Sequence, residues 1–148
     1  KSLETFFGKL KDTQMKLNFQ NGDLKISDIN ANLPFESTLN SNLNILLNNK
    51  KPIIEYQINF SSTNAKKFLR KLSIYDFRQK KANWYSEGVI DIQNRKIKIK
   101  KLLKDQVRIT NKNQIKLYEE SFNKNVINDD IIDVFDTFKI KKFLKEIY

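Results

Sequence analysis

Residues 38–72, TLNSNLNILLNNKKPIIEYQINFSSTNAKKFLRKL, hold the decisive pattern. Two alternating strands, TLNSNLNILLN from Thr38 and PIIEYQINF from Pro52 to Phe60, are the core of it. At their junction lies Asn48-Asn49-Lys50-Lys51-Pro52, a cluster of turn formers. Two alternating runs joined by so short a break make an antiparallel hairpin. With Lys50 and Lys51 at the tip, Leu47 is expected opposite Ile54, Ile45 opposite Tyr56, Leu43 opposite Ile58 and Ser41 opposite Phe60. Asn42, Asn44, Gln57 and Asn59 then take the other face. A slip of one residue would mix the two sets, so the parity is strongly specified wherever the apolar face is covered. Directly after the second strand the period changes to 3.6. Ala65, Phe68, Leu69 and Leu72 fall on one helical stripe, Lys66, Lys67, Arg70 and Lys71 on the other, and Ser62 or Thr63 is placed to cap the helix.

Similar hairpins flank this unit. Upstream, QMKLNFQ and DLKISDIN are joined by Asn21-Gly22, a pair suited to the positive φ angles of a type I′ turn. Phe19 should oppose Leu24, and Leu17 should oppose Ile26. Beyond Ser27 the apolar parity shifts to Ile29, Ala31 and Leu33, as a bulge or a strand covered on both faces would produce. Downstream, NWYSEGVIDIQ and KIKIKKLLK pair around a turn at Asn94-Arg95, with Ile92 expected opposite Ile97, Ile90 opposite Ile99 and Asp91 opposite Lys98. From Thr110 the period is helical, with Ile115, Tyr118 and Phe122 on one stripe. A further helical stretch begins at Asn128, its acids first and its bases last, in keeping with a helix dipole. Asp136-Thr137 can alternatively cap a separate last helix bearing Ile140, Phe143, Leu144 and Ile147.

These readings define one α+β domain over residues 1–148, mainly antiparallel strands to 104 and mainly helical from 105. The expected architecture is a curved antiparallel sheet of about six strands, built from three hairpins, with one basic helix after the fourth strand and helices at the C-terminus. A chain of 148 residues is long enough for a real core. Without an initiator methionine, and with an opening that starts mid-pattern, it reads as a piece of something longer.

The net charge of +11 is unevenly placed. Residues 1–77 contribute +4, residues 78–104 contribute +7, and residues 105–148 balance to zero. The basic excess therefore centres on the third hairpin, with Lys96, Lys98, Lys100 and Lys101 as a candidate basic surface for an anionic membrane surface or nucleic acid.

Candidate chemistry is sparse. The absence of histidine and cysteine removes the commonest general base, the commonest metal ligand and any thiolate site. A serine or threonine nucleophile would need an activating lysine, and no glycine-rich elbow or phosphate loop accompanies one. Asp129-Asp130-Ile131-Ile132-Asp133 spells a DDxxD motif, but the large helical bundle such magnesium sites require is missing. Adjacent Glu119 and Glu120 point to different sides of a helix. Trp84 and Tyr85 beside the lysine-rich strands suggest a base-stacking surface, although Trp84 shares the apolar parity of Gly88 and Ile90. The expectation is a non-enzymatic chain with no catalytic residues, no metal and no cofactor.

Four phrases carry a resemblance: Asn21-Gly22-Asp23-Leu24-Lys25-Ile26, the pair Leu33-Pro34, the turn Lys51-Pro52, and FSSTNAKKFL from Phe60 to Leu69. Together they resemble the repeating unit of bacterial AsmA-like proteins, and SEGVIDIQNRKIKIKKLLKDQ with FDTFKIKKFLKEIY resembles the closing portion of such proteins. The resemblance implies a periplasmic segment of a parent anchored in the inner membrane, involved in phospholipid transport and outer-membrane assembly. It implies that the apolar sheet face, Leu43, Ile45, Leu47, Ile54, Tyr56, Ile58 and Phe60, contacts acyl chains, with phospholipid and neighbouring repeats of the parent chain as partners. It carries over no catalytic residue. Two rivals are a basic nucleic-acid-binding module, the less favoured, and a purely structural or interaction domain.

Overall fold

A computed structural model describes residues 3–5, 8–47, 51–127 and 137–147. Among these residues, eight strands form one antiparallel sheet in which each strand pairs with the next in sequence. They are β1 (Leu3–Thr5), β2 (Gly8–Gln20), β3 (Asp23–Leu33), β4 (Ser37–Leu46), β5 (Ile53–Ser62), β6 (Ala82–Asp91), β7 (Lys96–Lys104) and β8 (Val107–Arg108). Among the described residues there are three helices, α1 (Ala65–Lys71), α2 (Lys112–Asn125) and α3 (Thr137–Ile147). The three expected hairpins are β2–β3, β4–β5 and β6–β7. The basic helix follows β5, the fourth of these hairpin strands, and helices close the chain. β1 and β8 were not anticipated, because three and two residues are too short to show an alternation.

The first hairpin has the expected register, with Phe19 opposite Leu24 and Leu17 opposite Ile26. Asn21 and Gly22 both take positive φ, 52° and 82°. The parity shift after Ser27 is a break in the β3–β4 ladder between Ile26 and Ile29, with Asp28 at φ 55°. The other two hairpins differ from expectation by two residues. Ile45 pairs with Ile54, Leu43 with Tyr56, Ser41 with Ile58 and Leu39 with Phe60. Likewise Ile90 pairs with Ile97 and Asp91 with Lys96. A two-residue slide leaves every side chain on its face, so alternation cannot distinguish these registers. In the third hairpin the cause is visible: the connection is four residues, Ile92 to Arg95. Asp91 accepts hydrogen bonds from the Asn94 backbone N–H and side-chain amide, both at 2.8 Å, and Arg95 takes φ 52°. The backbone bond leads in holding the Asp91 carboxyl below its ordinary pKa.

The helix after β5 has Asn64 as its N-cap residue, without a side-chain capping bond. Ser62 Oγ instead accepts from the Asn64 N–H at 3.1 Å and from Ser37 Oγ at 2.8 Å, while Thr63 donates to Glu36. Both expected caps are therefore spent on joining β4 and β5 to the helix start. The expected stripe is buried: Ala65, Phe68, Leu69 and Leu72 are all core.

Among the described residues, α1, α2 and α3 lie against one sheet face and leave the other to solvent, as an antiparallel sheet permits. α1 and the segment from Ile74 to Phe77 cover Phe60, whose ring stacks on Trp84 at 5.0 Å and meets Phe68 at 5.1 Å. A second cluster joins Ile54, Tyr56, Ile90 and Ile97 to Val126 and Ile127, with Phe122 and Phe143 packed against it. α2 also covers the β7 edge. Asn123 Oδ1 accepts from the Ile97 N–H at 2.8 Å, and Glu119 Oε1 accepts from the Ile99 N–H at 2.7 Å. Unpaired strand N–H groups invite other strands, and these two are answered from within the chain.

Candidate functional site: an apolar face half covered by helices

Opposed residues share a face, so the register assembles continuous apolar rows. One runs Phe19, Leu24, Ile45, Ile54, Ile90, Ile97, and the next Leu17, Ile26, Leu43, Tyr56, Gly88, Ile99. Each row begins under the helices at β7 and ends in the open at β2. The seven residues expected to line this face are thereby divided. Ile54, Tyr56 and Phe60, exposed by 8%, 5% and 8%, are core residues packed under helices rather than an open lining. Leu43 and Ile45 are half-buried at the margin of the second cluster. Ile58 belongs to neither cluster and is exposed, as is Leu47.

Apart from Ile58 and Leu47, the uncovered part of the face lies on β2 and β3. Phe19 is 73% exposed, Leu17 56% and Met15 59%, beside half-buried Leu24 and Ile26. The signal for it was present in the Asn21-Gly22 register, which puts Leu17 and Phe19 on the face of Leu43 and Ile45. What alternation could not reveal is how far the helices reach. Across β2 to β5 the rows span about 14 Å.

Within the covered part, Tyr56 turns its hydroxyl to Ser86 Oγ at 3.2 Å, and burial pushes its pKa up to about 12. It is a neutral structural phenol. Gly88 makes room for it, since a Cβ there would meet the Tyr56 hydroxyl at 2.8 Å.

The expected basic surface occupies the opposite, polar face. Lys96 opposes Asp91, Lys98 opposes Val89 and Lys101 opposes Glu87, while Lys100 sits at a break in the β6–β7 register. Lys101 Nζ lies 5.3 Å from the Tyr85 ring centroid, and Tyr85 donates to Glu87. These lysines are thus separated by the sheet from the apolar strip. Trp84 is packed between Phe60 and Phe77 on the helical side, so it and Tyr85 do not form one stacking surface. Glu119 caps the β7 edge, and Glu120 pairs with Lys116 at 3.6 Å. The DDxxD motif lies outside the described residues. Among the described residues there is no cluster of metal-ligating side chains, and no helix is long and apolar enough to cross a membrane.

Compared with known proteins, the chain matches no family model, no curated protein and no solved structure.

Proposed function

We propose that this chain is a non-catalytic, lipid-contacting sheet segment. More particularly, it is part of an AsmA-like periplasmic protein whose parent is anchored in the inner membrane and serves phospholipid transport and outer-membrane assembly. The observation that carries the reading is the uncovered strip of the helical face, with Leu17 and Phe19 more than half exposed at the ends of rows whose members Ile54, Tyr56, Ile90 and Ile97 are core. Contiguous exposed apolar surface beside a well-formed core marks a contact site. Acyl chains fit its chemistry, because the strip offers aliphatic and aromatic surface and no row of polar partners. Leu24, Ile26, Leu43, Ile45 and Leu47 extend the strip towards the helices, whereas Ile54, Tyr56 and Phe60 support it from the core. The helices give the strip a definite inner margin. Headgroups would be met beyond the strand ends rather than by Lys96 to Lys101, which lie behind the sheet.

Native mass spectrometry of the chain purified from bacterial envelopes tests this. Wild type should carry a phospholipid-sized adduct that the double variant Leu17→Glu/Phe19→Glu loses while keeping its melting temperature. A wild-type protein that flies only as the bare chain, or an adduct unchanged in the variant, would overturn the proposal.

A further inference from the structure

The sheet face behind the strip is polar in a patterned way. In one cross-strand row Asn30, Asn40, Asn59 and Tyr85 stand in register, and in the next Asn42, Gln57, Glu87 and Lys101. Two adjoining concavities, of about 320 and about 160 Å³, open along these rows and share Asn42 and Gln57. Asparagine disfavours strands, so rows of it weaken a sheet that other polar residues would build better. The side-chain amides of Asn40, Gln57 and Asn59 make no hydrogen bond to another described residue. They stand in the trough as open donors and acceptors.

Charge narrows the ligand. In the larger concavity Lys25 and Lys100 are matched by Glu55 and Glu87, and in the smaller the Asp28 carboxylate is held by Lys16 at 2.8 Å. With Lys101 closing its row, Lys16, Lys25, Lys100 and Lys101 stand against Asp28, Glu55 and Glu87, so the trough keeps a single net positive charge, small for so basic a chain. Nucleic acid binds chiefly through neutralised phosphates, and the carboxylates of Asp28, Glu55 and Glu87 would repel a phosphate run. A polyhydroxylated neutral ligand suits the site better. Each sugar hydroxyl both donates and accepts, and each side-chain amide offers both functions in return.

We infer that this polar face binds a neutral oligosaccharide laid across β3 to β6, its hydroxyls held by Asn40, Gln57 and Asn59 with Tyr85 as the wall at one end. The inference is independent of the lipid reading, which concerns the other face.

The test is an NMR titration of the full chain with maltohexaose, cellohexaose and chitohexaose at millimolar concentration, following the side-chain amide resonances directly. At least one sugar should give saturable shifts at Asn40, Gln57 and Asn59, and Gln57→Ala/Asn59→Ala should weaken it by about tenfold, or about 1.4 kcal/mol, with the melting temperature kept. The variant Leu17→Glu/Phe19→Glu should bind the sugar as wild type does. The inference is overturned by no shifts with any of the three, by shifts confined to the helical face, or by undiminished binding in the amide variant. It is equally overturned if single-stranded poly(U), tested in parallel, alone binds this face with steep salt dependence.

Discussion

Gly88→Ala probes the geometry on which both faces depend. Gly88 lies on β6 between Tyr56 of β5 and Ile99 of β7. Its backbone conformation is ordinary, Gly22 being the positive-φ glycine, so what the position requires is space. A Cβ there would stand 2.2 Å from the Lys98 carbonyl oxygen and 2.8 Å from the Tyr56 hydroxyl. A side chain can rotate away, but a backbone carbonyl cannot, so the β6–β7 ladder must open where its register already steps between Glu87 and Gly88. Overpacking a core costs about 1–3 kcal/mol. Displacing Tyr56 also threatens its hydrogen bond to Ser86, a contribution of about 1 kcal/mol. The upper end, about 3 kcal/mol, is therefore expected. For a chain of this size each kcal/mol moves the melting temperature by about 2–4 °C, so the fall should be about 6–12 °C. Thermal and urea denaturation followed by circular dichroism measure it, with Ser86→Ala as the control that removes only the hydrogen bond. A Gly88→Ala protein melting within about 1 °C of wild type would refute the close approach of β5, β6 and β7 described here.

Other perturbations separate covered from open residues. Phe60→Ala should cost about 3–5 kcal/mol, because it removes a ring lodged between Trp84 and Phe68. Leu17→Ser, on the open strip, should change stability by less than about 0.5 kcal/mol, and equal losses in urea melts would contradict the division of the face. The α2–α3 contact should be acid-sensitive. Glu146 accepts from Ser121 Oγ at 2.8 Å and from the Asn125 amide and pairs with Lys124 at 3.4 Å, and these bonds, Ser121's first, lower its pKa below the ordinary 4.5. A folded-state pKa below the unfolded one means that the contribution is complete above about pH 4.5 and lost as pH falls through the lowered folded value. Hydrogen exchange in α3 should accelerate over that acid range in wild type, and Glu146→Gln should remove the dependence. Tyr56→Phe should delete one phenol ionising near pH 12 from the ultraviolet titration of the folded chain; an unchanged alkaline limb would contradict its burial.

Much of the fold was legible because alternation determines parity. Leu43, Ile45, Ile54, Tyr56, Ile58, Phe60, Ile90, Ile97 and Ile99 lie on the expected face, Leu47 and Ile92 fall just past the strand ends, and the helix after β5 buries the expected stripe. Absolute register was less legible, since a slide of two residues costs the pattern nothing. It was read correctly only where Asn21-Gly22 imposed a particular turn, and Asp91, by capping a four-residue loop, moved the third hairpin away from expectation. Cover was not legible at all. Whether Tyr56 or Leu17 faces open space depends on where α2 and α3 dock, and that rests on tertiary contacts such as Glu146 with Ser121 and Asn123 with the β7 edge. The candidate site therefore moved along its own rows, from the middle of the sheet towards β2. Likewise, the asparagines assigned to the far face by parity became a trough only when their neighbours across three ladders were known.

The most direct test of the central claim is a photo-crosslinking measurement in the bacterial envelope, with a benzophenone amino acid placed at Phe19 on the strip, at Phe60 under the helices and at Asn59 on the polar face. The account predicts a phospholipid adduct, identified by mass, at Phe19 and none at Asn59 or Phe60. Absence of lipid at Phe19, or equal yields at Phe19 and Asn59, would contradict it.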